Sequence, residues 1–353
     1  MNFETFAYPS DLYTQSPTDY PGRTDNKLRM KPRLRKKAGE PDISSTGQAG
    51  NSDVLVDQQG NLVYYSAYVN EVYYNFVKDN GFNLVSNINA ADPALDFPTD
   101  GAGSIELKMS WRIAAMGTDV FIENTNDFIT IQAEVDKYEF TGGKWVNQGA
   151  QQALMAMVGF HVVGTVPNHP EFIWATFEQR DNDPICAATT GGKLGPTNPA
   201  TGNPWSFYPG DFDCEGNTNC NHGSTIDKDD GLPNSVCLVV PDGAGSPENI
   251  ANINTLNASV AKQLPAGDVR RNYFYGGGIW TNNGELPATM ANERGSLKLA
   301  NTTAETYFQD ELNCFSCHNS SNPPSKALSG EKNIYLSHLL GLAVDDTAAA
   351  TAK

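Results

Sequence analysis

Near its C-terminus the chain carries Cys314-Phe315-Ser316-Cys317-His318, a C-x-x-C-H pattern. Two thiols three positions apart can add across the two vinyl groups on one edge of a porphyrin. A histidine directly after the second thiol then lies under the ring, where an imidazole nitrogen can ligate the iron. The pattern therefore points to one covalently attached haem c, with Cys314 and Cys317 as thioether anchors and His318 as the proximal ligand. A C-x-x-C redox pair or half of a zinc site would use the same cysteines. Zinc would need a second compact pair of ligands, and none stands out in the sequence.

The ligand on the far side of the iron decides the chemistry. His338 lies 20 residues beyond His318 in an apolar stretch, which makes it the leading candidate, so His318 and His338 are the expected metal ligands. Two imidazoles would give a low-spin electron-transfer iron of lower potential than His/Met ligation. Met290 is the nearest methionine in sequence, whereas Met109, Met116, Met155 and Met157 fall in or beside expected strands and read as core. An open iron would suit peroxide or O2 chemistry, with His161, His169 or Glu178 as acid/base groups beside Trp174. His161 and His169 read more simply as a core and a turn histidine, and His222 as exposed.

These groups need elements to hold them. From residue 105, Ile105, Leu107, Met109, Trp111 and Ile113 alternate with polar residues, the period of a half-buried strand. Residues 128–135 read as another strand, and 138–146 as a hairpin turning at Gly142-Gly143. Residues 153–166 read as a central strand buried on both faces, and 172–177 as a strand following the Pro167–Pro170 turn. The expected fold is mainly β: an antiparallel β-sandwich or jelly-roll-like body over 61–293, with loops at 181–270. A short helical haem-binding segment at 294–353 and an extended arm at 1–60 complete it. The spacing at 62–80 predicts a helix ending at Asn80-Gly81. Thr302 and Glu305 suggest a capping box opening a helix over 301–313, and 334–342 is a second short apolar segment.

The haem motif has one expected helix before it and 35 residues after it, little chain to enclose a porphyrin. The pocket should be completed by the β-rich body. A formal charge of −17 disfavours nucleic acid and anionic membranes as partners, and suits either a soluble surface or a basic redox partner. No run of ~18 apolar residues occurs, so no membrane span is expected. The N-terminus lacks the basic-then-apolar order of an export signal. Haem c is nonetheless attached outside the cytoplasm, so a periplasmic or extracellular location is expected. Cys186, Cys214, Cys220 and Cys237 suit two disulfides there, in any of three connectivities, over an all-cysteine metal site, since no C-x-x-C pair occurs among them. Acidic runs at 211–216 and 227–231 hold part of a calcium-loop pattern without its closing Glu, a weak indication of calcium. The long arm at 1–60 offers a route to homo-oligomers or other assemblies.

The segments Gly159–Thr165, Pro170–Glu178 and Leu299–Thr303, together with the C-x-x-C-H motif, resemble bacterial proteins of the cytochrome c family with no assigned reaction. The resemblance spans roughly residues 105–340 and weakens in the cysteine-rich loops. It implies an exported haem c protein. Three uses remain: mono-haem electron transfer, a haem enzyme of peroxidase or oxygenase type, and a structural protein that carries haem.

Overall fold

The computed structural model describes residues 6–21, 28–29, 54–142, 144–185, 197–207, 236–241, 246–306, 309 and 313–346. The protein is mainly antiparallel β, with nine strands among the described residues joined in one sheet. Its spine is the 23-residue strand β6 (Lys144–Val166). One edge of β6 pairs with β3 (Ile105–Met116). The other pairs first with β5 (Thr130–Thr141) and then with β7 (His169–Gln179). Outside these lie β2 (Tyr64–Val69) on β3, β4 (Asp119–Val120) on β3, and β8 (Tyr273–Thr281) on β7. β9 (Glu293–Gly295) pairs with β8, while β1 (Leu28–Arg29) runs parallel to β5. The expected hairpin turn is present at Gly142 (φ 62°), and Asn168 (φ 70°) turns β6 into β7.

The alternation read in 105–113 separates two unlike faces. Leu107, Met109, Trp111 and Ile113 stand opposite Val162, Phe160, Met157 and Met155, and all join one apolar core with Tyr64 and Tyr68. On the other face Lys108 and Ser110 stand opposite His161 and Gly159, which in turn pair with Thr176 and Glu178. Farther along this second face Val163 and Trp174 enter a second apolar core. It includes Phe172, Phe315, Tyr335, Leu336, Leu339 and Leu340. The C-terminal segment thus shares a core with the body.

Two expected helices differ. The predicted 62–80 helix is a strand followed by a helix: β2, then α2 (Glu71–Asp79). Aromatic and β-branched residues satisfy both periods, but Asn70 decides the boundary. Its Oδ1 accepts the Tyr73 N–H at 3.0 Å as an N-cap and also the Ile105 N–H of the neighbouring strand. Residues 302–306 form turns rather than the first helical turns of 301–313. Glu305 does reach back, accepting the Asn301 N–H at 2.9 Å, but the Thr302 N–H is spent across the fold on Glu178.

Part of the arm lies on the body. Ala7 pairs with Val69, α1 (Pro9–Leu12) follows it, and Leu12 and Tyr13 are buried in the second core. Further elements include α3 (Val85–Ala90), α4 (Pro247–Gln263) and α5 (Cys314–Cys317), with single-turn 3-10 helices at Asn333–Leu336 and His338–Leu342. No helix among the described residues is long and apolar enough to cross a membrane. Cys237 is buried and disulfide-bonded. Cys186, Cys214, Cys220, His222 and both acidic runs lie outside the described residues.

Candidate haem-attachment site

The C-x-x-C-H motif forms the single turn α5, made by its own capping box. The Asn313 Oδ1 accepts the Ser316 N–H, and the Ser316 hydroxyl accepts the Asn313 N–H, each at 3.2 Å. The Asn313 amide also donates to Glu293 at 2.7 Å, tying the turn to β9. Phe315 points inward, 1% exposed, against Trp174. Cys314 is half-buried and Cys317 exposed, and neither is in a disulfide. One helical turn therefore puts an apolar anchor in the core while leaving two thiols near the surface.

Both thiols titrate above the ordinary range. Burial pushes Cys314 well up and the Glu305 carboxylate adds to it; Cys317 is raised by the same two causes in the same order. Among the described residues no group of three or more His, Cys, Asp or Glu is placed to hold one metal ion together. Covalent haem attachment has different requirements. It calls for two thiols at this spacing and one oriented imidazole.

That imidazole is oriented. The His318 Nδ1 donates to the Leu336 carbonyl at 3.0 Å, which places the lone pair on Nε2. The His318 ring lies 4.2 Å from the Trp174 ring, centroid to centroid, tilted by 44°. The His338 ring lies 3.7 Å away at an interplanar angle of 29°, a stacked pair. The residue after the motif is fixed as well, since Asn319 exchanges two hydrogen bonds with the Ala288 backbone. These residues fit a haem held by Cys314 and Cys317 with His318 as its axial ligand.

The other expected residues scatter. His338 stands against the flat face of His318, and its Nε2 donates to the Cys317 carbonyl at 3.0 Å. Met109, Met116, Met155 and Met157 are packed in the core of the opposite sheet face, and Met290 is 93% exposed. His169 is paired with the fully buried Glu171 at 2.8 Å.

His161 and Glu178 belong to a buried polar seam that sequence reasoning missed as a unit. His161 pairs with Glu305 at 3.1 Å. Burial opposes ionisation of Glu305, but His161 and then Lys108 outweigh it and hold the carboxyl below its usual range. Glu178 accepts the Thr302 N–H at 3.0 Å. Burial pushes its carboxyl up to about 7, and Asp183 beside it is raised further by burial and by Glu178. Asn301 donates to the Thr176 hydroxyl and the Phe177 carbonyl, the Thr303 hydroxyl meets Ser110, and the Tyr65 hydroxyl donates to the Thr303 carbonyl at 2.6 Å. A Cβ on Gly159 would lie 2.3 Å from the Thr303 hydroxyl, so only glycine lets this segment sit down on the strand. A glycine inside an otherwise apolar strand was the available signal.

No family model, curated protein or solved structure matches this chain.

Proposed function

We propose that the protein is a mono-haem c-type cytochrome that carries electrons outside the cytoplasm for a redox partner protein. Cys314 and Cys317 would hold the porphyrin and His318 would ligate its iron. The observation that carries this reading is the fixed orientation of His318 directly behind two thiols that are in no disulfide, with Nδ1 committed to Leu336. Bound haem supplies a reversible one-electron iron couple.

The chain's own residues do the rest. Asn313 and Ser316 set the turn that spaces the thiols. Phe315 and Trp174 supply apolar surface beside the imidazole, and the low dielectric of such a site disfavours the more highly charged form of the iron. Electron transfer is favoured over haem enzyme chemistry because two of the acid/base candidates are already committed. His161 holds Glu305 and Glu178 holds Thr302, both in contacts that fasten the C-terminal segment.

Spectroelectrochemistry of the haem-loaded protein, together with a peroxide-consumption assay, tests this reading. One reversible one-electron wave with no sustained turnover of peroxide is expected. Continued peroxide turnover in the presence of a reducing co-substrate would replace the electron carrier with an enzyme.

A further inference from the structure

We propose that His338 is a positioning residue for the imidazole that would ligate the iron, locking the plane of the His318 ring, rather than an iron ligand itself. This inference rests on the haem reading above and concerns only how that site is arranged.

Residues 336–338 grip His318 from two directions. The Leu336 carbonyl accepts the Nδ1–H at 3.0 Å, and two residues later the His338 ring stacks on the His318 ring with centroids 3.7 Å apart. Trp174 approaches at 4.2 Å, and two rings this close cannot share one face, so the imidazole is held from different sides. The gripping stretch is itself anchored. The His338 Nε2–H donates to the Cys317 carbonyl at 3.0 Å. Ser337 meets the Tyr73 hydroxyl at 2.8 Å, and that hydroxyl meets Tyr13 of the N-terminal arm at 2.8 Å. Leu336, Leu339 and Leu340 are buried in the second core.

An axial ligand opposite His318 would have to come from the other face of the porphyrin. Two residues of extended chain span at most about 7 Å. That leaves little backbone to pass from a carbonyl bonded to the proximal ring, around the porphyrin edge, to the opposite face. The move would also break the bond to Cys317 and withdraw two buried leucines. A stacked neighbour instead restricts rotation of the ligating ring, and the plane of that ring sets the anisotropy of the iron's electronic ground state.

The test compares ferric electron paramagnetic resonance and optical spectra of the haem-loaded parent with His338→Ala and His338→Phe. In the Ala variant the spin state and axial-ligand absorption should stay as in the parent while the g-tensor changes. The Phe variant, which keeps a flat ring, should restore the parent g-tensor. A switch from low to high spin in both variants would make His338 an iron ligand and overturn the proposal. An unchanged g-tensor in the Ala variant would also overturn it. A parent without covalent haem would instead remove the functional reading itself, so the two failures are distinguishable. Should the Ala variant not fold, the Phe variant alone decides: retained spin state and g-tensor support positioning, and a new high-spin signal refutes it.

Discussion

The two faces of the central sheet are held to their neighbours by different means. One face is covered by a mainly apolar core around Trp111, Met155 and Met157. On the other, a polar seam of Ser110, His161, Thr176 and Glu178 fastens residues 301–306, with a second apolar core beside it. Apolar burial is non-directional and holds the body together in any register that hides the same area. A seam of directional hydrogen bonds adds a fixed position, and it is the segment leading into Cys314 that needs one. The difference teaches where this molecule spends specificity: on the placement of the segment that carries the C-x-x-C-H motif.

Breaking the apolar face should cost most. Trp111 is fully buried and donates from its ring N–H to the Ser66 hydroxyl at 2.9 Å. Trp111→Ala should destabilise the whole protein by about 3–5 kcal/mol. Chemical denaturation should show that loss as one cooperative shift, with the C-terminal segment released together with the body. Early, separate release of the segment would mean that the two faces are not coupled through the sheet.

A methyl group inserted into the seam should act more locally. Gly159→Ala places a Cβ against the Thr303 hydroxyl and the Asn301 side chain, with an expected cost of about 1–3 kcal/mol. Hydrogen exchange should accelerate at residues 299–306 and 313–320 while the amides of β3 stay protected. Uniform acceleration across the sheet would argue that the seam is simply another part of the core.

The seam should also respond to pH where the apolar face does not. The Glu178 carboxyl moves from an ordinary value of 4.5 to about 7 because burial disfavours its charged form. The native state therefore holds a proton that the unfolded chain releases. The resulting stabilisation is fully present below pH ~4.5 and is lost as pH rises through about 7, with Asp183 contributing in the same direction. Melting temperatures measured from pH 5 to 8 should fall for the parent and fall less steeply for Glu178→Gln, where Asp183 alone remains. A parent whose stability is level across that window would show that Glu178 is ionised in the seam.

The faces also differ in how much of them the sequence discloses. Alternation at 105–113 is visible because one face is apolar and the other polar, and every strand expected from that period is present. The seam leaves no such trace, because its bonds join residues far apart in the chain: Thr302 to Glu178, Ser110 to Thr303, Asn301 to Thr176. The Thr302/Glu305 spacing looked like a local capping box because local partners are the only ones a sequence displays. In the fold, Thr302 finds its acceptor 124 residues away. The misplaced helix at 62–80 has a similar origin. Its tyrosines fit either period, and the deciding Asn70 also takes a hydrogen bond from Ile105 of another strand. At the haem motif the spacing of Cys314, Cys317 and His318 was legible. The grip of Leu336 and His338 on that histidine was not, since it depends on a backbone carbonyl and a ring face.

Covalent haem at Cys314 and Cys317 is the claim on which the functional account depends. Intact-protein mass and the alkaline pyridine spectrum of protein made in a host that attaches haem c test it most directly. The account predicts a mass increase of one haem and a c-type pyridine spectrum in the parent, both lost in a Cys314→Ala, Cys317→Ala double variant that still folds. A well-folded, exported parent with the mass of the bare polypeptide would contradict it.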